Sequence, residues 1–267
     1  MKASLIFLLT LWSFALMSQI SNGDSTICRK CHHSHRSPYN FTFKKELPFI
    51  LSGTGIIVSS TLIKATNDTE PFTEDELLSL DRNDINAFDR PTTYKYNPES
   101  AQLSDVLRTG VVVFPALFLL NHHTRKDIKG LALLTVEVVG MNWGFTNVVK
   151  HLVNRTRPYI YNEKTPLDVR TDEQSRLSFF SGHTSHTASV SFLFAKVIND
   201  YHPEMDLKRK IGLWTITALI PASTAYLRVQ SGKHFPTDVI VGYGVGATIG
   251  WLIPHLHKIK KPINISP

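Results

Sequence analysis

Three polar clusters between Lys150 and Asp238 bring together the residue types that phosphoryl transfer through a histidine requires, and each cluster sits at the end of an apolar run. The first runs from Lys150 to Pro158. On a helix, Lys150 and Arg157 lie seven residues apart and project from one side, and Pro158 discourages further helix at the residue before it. Two fixed cations then face one site. The second cluster, Ser181-Gly182-His183-Thr184-Ser185-His186, opens the next apolar run. A helix starting there has unpaired backbone N–H groups suited to an anion, and Ser181 can cap it. The third runs from Arg228 through His234 to Asp238. Pro236 suits a helix's first turn, and His234 lies four residues before Asp238, near enough for the carboxylate to fix the imidazole. No cysteine or acidic cluster in these segments points to a metal centre. His186 has no part in the pattern and reads as structural.

In order and spacing, the clusters resemble the type 2 phosphatidic acid phosphatase superfamily, which also includes bacterial non-specific acid phosphatases and vanadium haloperoxidases. The resemblance rests on Lys, six residues, Arg-Pro; then Ser-Gly-His; then Arg, five residues, His, three residues, Asp. Phe180 departs from it, standing where a proline normally precedes Ser-Gly-His. The resemblance implies that Lys150, Arg157 and Arg228 hold the phosphate, with hydrogen bonds from Ser181 and Gly182. It makes His234 the nucleophile, Asp238 the residue that orients it, and His183 the proton donor to the departing oxygen. The implied reaction is metal-independent hydrolysis of a lipid phosphate monoester through a phosphohistidine, with no cofactor. Alternatives are an undecaprenyl pyrophosphate phosphatase or a lipid phosphotransferase and, further off, a vanadium-dependent haloperoxidase. Candidate lipids are phosphatidylglycerol phosphate, phosphatidic acid, undecaprenyl pyrophosphate and the lipid A phosphates. Monophosphates rank ahead of the pyrophosphate, because only one full cation cage is present.

The elements that must position these clusters are long apolar blocks, a membrane protein's distribution, although polar connections bring the mean hydropathy near zero. Apolar runs cover about 107–121, 129–149, 187–203, 211–227 and 236–256. The net charge of +7 gathers between them: Arg125, Lys126 and Lys129; Lys208, Arg209 and Lys210; Lys258, Lys260 and Lys261. The positive-inside rule puts those connections in the cytoplasm and all three clusters on the opposite face. The expected fold is all-α, a polytopic bundle of five or six spans with an outward-facing phosphate site, in a bacterial inner membrane with that site on the periplasmic side. Gly242, Gly244, Gly246 and Gly250 fit close helix contacts in such a bundle. A membrane lipid phosphate is the expected partner. No nucleic-acid motif is present, and the sequence does not specify an oligomeric state.

Residues 1–22 read as a signal peptide or first anchor helix. Residues 23–46 form a polar segment carrying Cys28 and Cys31, which read as a disulfide or incidental pair before a c-type haem motif. Residues 47–64 form a possible membrane helix. Residues 65–106 form an extracytoplasmic polar segment, with Leu77, Leu78 and Leu80 marking short amphipathic helices. Residues 107–256 form the membrane catalytic core and 257–267 a cytoplasmic tail. Lys164, Arg170 and Arg176 in the connection 159–180 could meet a headgroup or serve as ordinary loop charges.

Overall fold

Six long helices carry the chain in a computed structural model that describes residues 37–67 and 70–259. They are α1 (Phe43–Thr66), α2 (Pro98–Gly110, continued by 3-10 turns over Val111–Leu119), α3 (Ile128–Val153), α4 (Gly182–Tyr201), α5 (Leu207–Gln230) and α6 (Pro236–His257). Among the described residues there is no strand, only an isolated bridge between Tyr39 and Lys258. The fold is all-helical. The signal-like residues 1–22 and the pair Cys28 and Cys31 lie outside the described residues.

Local chemistry sets the helix ends. Asn97, Ser181 and Asp206 cap α2, α4 and α5, accepting from the amides of Ser100, Thr184 and Arg209. Asn154 ends α3 in the left-handed region at φ 47°, its N–H donating to the Lys150 carbonyl. The α2 helix begins at Pro98, well before the apolar run at 107, so Ser104 and Asp105 ride on the same rod as the apolar residues.

Helix α4 sits at the centre, packed against α6, α5, α3 and α2. It buries Thr184, Ser185, Thr187, Ser189 and Ser191 with Ala188, a face small enough for backbones to approach. Opposite lies a row of glycines on α6. A Cβ on Gly242 would come within 2.6 Å of the Ser181 carbonyl oxygen, and Gly246 and Gly250 abut the Ser185 and Ser189 oxygens still more closely. Gly244, grouped with them from sequence, instead faces open space. The contact row repeats every four residues, and one turn earlier it reaches Asp238, whose carbonyl accepts from Ser181 N–H at 3.0 Å. The glycine row thus sets the register that brings the second and third clusters together.

At the other end, Phe118, Leu131, Leu134, Val138, Leu193, Val197 and Ile253 form the main apolar core with Tyr39. A second cluster of Phe72, Leu77, Tyr159 and Ile160, with Leu80 against it, fastens the segment after α1 onto the connection after α3. Leu78, by contrast, points outward. Arg176 stacks on Phe72 at 3.6 Å and pairs with Glu76 at 2.7 Å, while Arg170 donates to the Ile160 carbonyl at 3.0 Å. Those two arginines anchor the connection.

Among the described residues, three helices are long and apolar enough to cross a membrane: Phe43–Thr66, Pro98–Leu119 and Pro236–His257. Their outer faces expose large apolar side chains, among them Leu51, Leu62, Val112, Ile240 and Trp251, and α5 does the same with Ile211, Ile216 and Leu219. An apolar belt on this scale marks a membrane protein.

Candidate functional site

Lys150 and Arg228 lie near the C-terminal ends of α3 and α5, and Ser181 and Asp238 lie at the N-terminal ends of α4 and α6. The bundle brings these four ends together. Gly182 makes this possible at one point: a Cβ there would press on Thr146 at 3.2 Å and on the Lys150 side chain at 3.7 Å. The amides of Gly182 and His183 belong to the first turn of α4, where N–H groups have no intrahelical acceptor.

The three cations are buried, and carbonyls hold two of them from behind. Lys150 Nζ donates to the Leu177 oxygen at 2.5 Å, and Arg157 Nε donates to the Gln174 oxygen at 2.7 Å. Arg228 Nη1 donates to Ser104 Oγ at 3.2 Å, but its buried Nε has no hydrogen-bond partner. A buried guanidinium N–H without an acceptor is costly and suits an incoming anion.

His234 is 1 % exposed. Its Nδ1 lies 2.8 Å from the Ser178 carbonyl oxygen, which can only accept, so Nδ1 carries the proton and Nε2 keeps a lone pair. Burial, followed by the charges of Arg157, Lys150 and Arg228, holds His234 well below the ordinary histidine range and therefore neutral at pH 7. Asp238 Oδ2 is 3.7 Å from Nδ1, farther than the Ser178 carbonyl. This carboxylate accepts instead from Ser178 Oγ at 2.6 Å, Phe235 N–H at 2.8 Å and Arg155 Nη1 at 2.5 Å. Its contact with the imidazole thus runs chiefly through Ser178. Ser181 Oγ caps α4 by accepting from Thr184 N–H at 3.4 Å.

Several residues at the site were not singled out from sequence. Arg155 bridges Asp238 to Asp89 at 2.8 Å and stacks on Phe235 at 4.2 Å, and Asp89 also accepts from Thr237 Oγ1 at 2.7 Å. Burial would raise the Asp89 pKa, but hydrogen bonds from Thr237, Arg155 and Asn86 outweigh it and hold the carboxyl below its ordinary range. Asp105 meets His183 Nε2 at 2.7 Å and lies 3.6 Å from Arg228 Nη1, so an anionic group already rests against that side of the cage. Lys233 stands over the Tyr159 ring at 4.6 Å. Burial, then Arg157 and Arg228, push it down to about 8. Arg155 lies inside the first cluster, so its type and position were visible. Asp89 and Asp105 come from a segment read only for its polarity, and nothing local marked them.

The arrangement offers a neutral imidazole nitrogen, a cation cage with an unfilled donor and a second imidazole paired to an acid. These are the parts of an in-line attack on phosphorus.

The chain is similar to known proteins in sequence and in fold. The chain is 32% identical over 106 residues to a decaprenylphosphoryl-5-phosphoribose phosphatase of Mycobacterium tuberculosis, covering 40% of this chain and 50% of that protein. It is 30% identical over 138 residues to phosphatidylglycerophosphatase B of Bacillus subtilis, covering 51% of this chain and 63% of that one. The chain thus spans about half to just under two thirds of the length of these relatives. A crystal structure of a transmembrane PAP2-type phosphatidylglycerolphosphate phosphatase from Bacillus subtilis superposes with a TM-score of 0.50 at 20% identity, covering 80% of this chain and 99% of that one. That likeness is one of fold. The PAP2 superfamily profile itself matches residues 129–262, half of the chain and the stretch that holds the three polar clusters between Lys150 and Asp238, and the chain belongs to that superfamily.

Proposed function

We propose that the chain hydrolyses a lipid phosphate monoester at this cage, without a metal, through a phosphohistidine on His234. Lys150, Arg157 and Arg228, with hydrogen bonds from the Ser181 hydroxyl and the Gly182 amide, hold the equatorial oxygens, and Nε2 of His234 attacks phosphorus in line. His183 gives a proton to the leaving oxygen and then takes one from the water that releases phosphate. Asp238 holds this machinery in place. The matched relatives are named for action on a prenyl-linked sugar phosphate and on phosphatidylglycerophosphate, both lipid monoesters in keeping with this reading.

One observation carries the lipid assignment. A groove of about 510 Å³, lined by Leu103 and Leu107 of α2 and by Ala222, Ser223, Tyr226 and Leu227 of α5, opens beside the cage. Leu103 and Leu227 directly precede Ser104 and Arg228, which are bonded to each other. An acyl or prenyl chain lying there sets its phosphate against Arg228, an advantage that a soluble ester lacks. Ala222→Trp is expected to lower kcat/KM for phosphatidic acid and phosphatidylglycerol phosphate in detergent micelles by roughly tenfold, with a short-chain soluble ester unaffected. Equal or faster turnover of the soluble ester by the parent chain would defeat the lipid reading. A marked preference for undecaprenyl pyrophosphate would move the assignment to the runner-up substrate while keeping the same nucleophile.

Five or six of these helices are assigned as spans: with Phe43–Thr66 crossing, residues 1–22 are an uncleaved anchor, and with residues 1–22 a cleaved signal, Phe43–Thr66 does not cross. Arg125 and Lys126, Lys208 to Lys210, and Lys258 collect at the end of the bundle opposite the cage. That charge asymmetry supports a periplasmic site in the inner membrane.

Lys233 gives the reaction a pH signature. Its pKa of about 8 means that it is charged below that pH and neutral above it. As pH rises through 8, kcat/KM is expected to fall roughly tenfold as one positive charge beside the cage is lost. In Lys233→Arg the alkaline limb should disappear, because guanidinium stays charged. Persistence of the limb in that variant assigns it to another group.

A further inference from the structure

A second polar constellation lies at the end of the bundle away from the phosphate cage. Glu46 stands in the first turn of α1, Glu137 within α3, and His257 closes α6. Asp238 opens that last helix, so the two constellations are roughly 30 Å apart along it at 1.5 Å per residue.

The three side chains are sealed, with exposures of 1 % for Glu46, 7 % for Glu137 and 0 % for His257. The Phe49 ring covers the imidazole at a centroid distance of 4.4 Å, and Phe41 stands at 6.0 Å. Both oxygens of Glu46, both oxygens of Glu137 and Nε2 of His257 lack a hydrogen-bond partner. Ionised carboxylates are not kept dry and unpartnered, so positive charge, from protons or from a cation, is needed among them.

His257 indicates what form that charge takes. Its Nδ1 lies 2.8 Å from the Ile253 carbonyl oxygen, an acceptor only, so Nδ1 holds the proton and Nε2 directs a lone pair at the two acids. An imidazole turned by a carbonyl behind it is the usual posture of a metal ligand. Nε2 is 3.4 Å from Glu46 Oε2 and 3.3 Å from Glu137 Oε2. Tetrahedral zinc with bonds of about 2.0–2.1 Å separates its ligands by about 3.3–3.4 Å. Calcium and magnesium prefer all-oxygen shells with more ligands. Two carboxylates and a neutral imidazole also balance a divalent ion in charge.

We propose that Glu46, Glu137 and His257 bind one divalent transition-metal ion of the zinc type, a structural clamp that ties α1, α3 and α6 together away from the catalytic cage. The site takes no part in phosphoryl transfer, so its failure and that of the proposed function are separable.

The test uses the full chain in detergent, with Cys28→Ser and Cys31→Ser so that N-terminal thiolates contribute no zinc. After chelation, reloading with zinc and gel filtration, elemental analysis is expected to find about one more zinc per chain than in His257→Gln treated alike. Free zinc at one hundred times Kd should raise Tm by about 5–10 °C in the parent and leave His257→Gln unmoved. Phosphate release well below Tm should not change with chelation. A parent chain that retains no zinc overturns the proposal whether or not the variant folds, and leaves protons shared among the three groups as the balancing charge. Equal zinc in parent and variant overturns it too. Should His257→Gln not fold, Glu137→Gln takes its place in both measurements.

Discussion

His234→Ala is expected to lower phosphate release by at least about 10⁴-fold, because the variant loses the atom that bonds to phosphorus. The tautomer argument makes this specific to Nε2. Nδ1 is committed to the Ser178 carbonyl at 2.8 Å, and burial within the cation cage keeps the ring neutral, so no deprotonation precedes attack at pH 7. The same depression has a sign in stability. As pH falls through about 6.5, the unfolded chain takes up a proton that folded His234 refuses, so this group's contribution turns unfavourable on the acid side. His234→Ala should therefore lose less stability than the parent between pH 7 and pH 5. Rapid alkaline quenching of the parent with radiolabelled lipid should leave acid-labile, base-stable phosphate on the protein, and the variant should leave none. Activity within tenfold of the parent, in a variant that elutes normally on gel filtration, would sink the mechanism.

How much of this was legible in the sequence depends on how local each feature is. The Ser181 cap and the His234 to Asp238 spacing lie within single turns, where residue type and local period determine direction. The apolar runs placed the long helices for the same reason. Lys150 and Arg157 do not share a helix as their spacing suggested: α3 stops at Val153, Asn154 turns left-handed, and Arg157 comes to the site on extended backbone beyond it. The partner that best fixes His234 is a backbone carbonyl 56 residues away, and no side-chain pattern records a carbonyl. Asp89 reaches Thr237 across 148 residues, and Asp105 reaches His183 across 78. Those contacts depend on packing the segment after α1 over the bundle end. Gly244 was grouped with its neighbours because composition shows small residues but not which face they occupy; the row Gly242, Gly246, Gly250 emerges once α4 is set against α6. Glu137 was visible as an ionisable residue inside an apolar run, a signal that ordinarily marks a partner or a function. Its partners Glu46 and His257 lie at the ends of two other helices, beyond any local pattern.

Asp238 and Ser178 separate two ways of holding the nucleophile. Asp238 is fully buried and accepts from Ser178 Oγ, Phe235 N–H and Arg155 Nη1. Asp238→Ala leaves Ser178 Oγ and Phe235 N–H without this acceptor and Arg155 with Asp89 and Thr237, a loss of about 3–5 kcal/mol in stability. Asp238→Asn keeps the shape but removes the charge that balances the cage, and turns an amide toward groups that need an acceptor. On the template of a triad carboxylate, kcat should fall on the order of 10³-fold or more, with KM moving less. Ser178→Ala is the contrasting case. It deletes the Oγ bond to Asp238 but keeps the Ser178 carbonyl, which holds Nδ1 directly, so kcat should stay within about tenfold of the parent. Tm and steady-state kinetics on both variants decide the matter. Equal losses in Asp238→Asn and Ser178→Ala would assign the orienting role to the serine hydroxyl rather than to the charge. A large loss in Asp238→Asn alone identifies the carboxylate, acting through its charge and through the Phe235 amide next to His234, as the group that keeps Nε2 aimed at phosphorus.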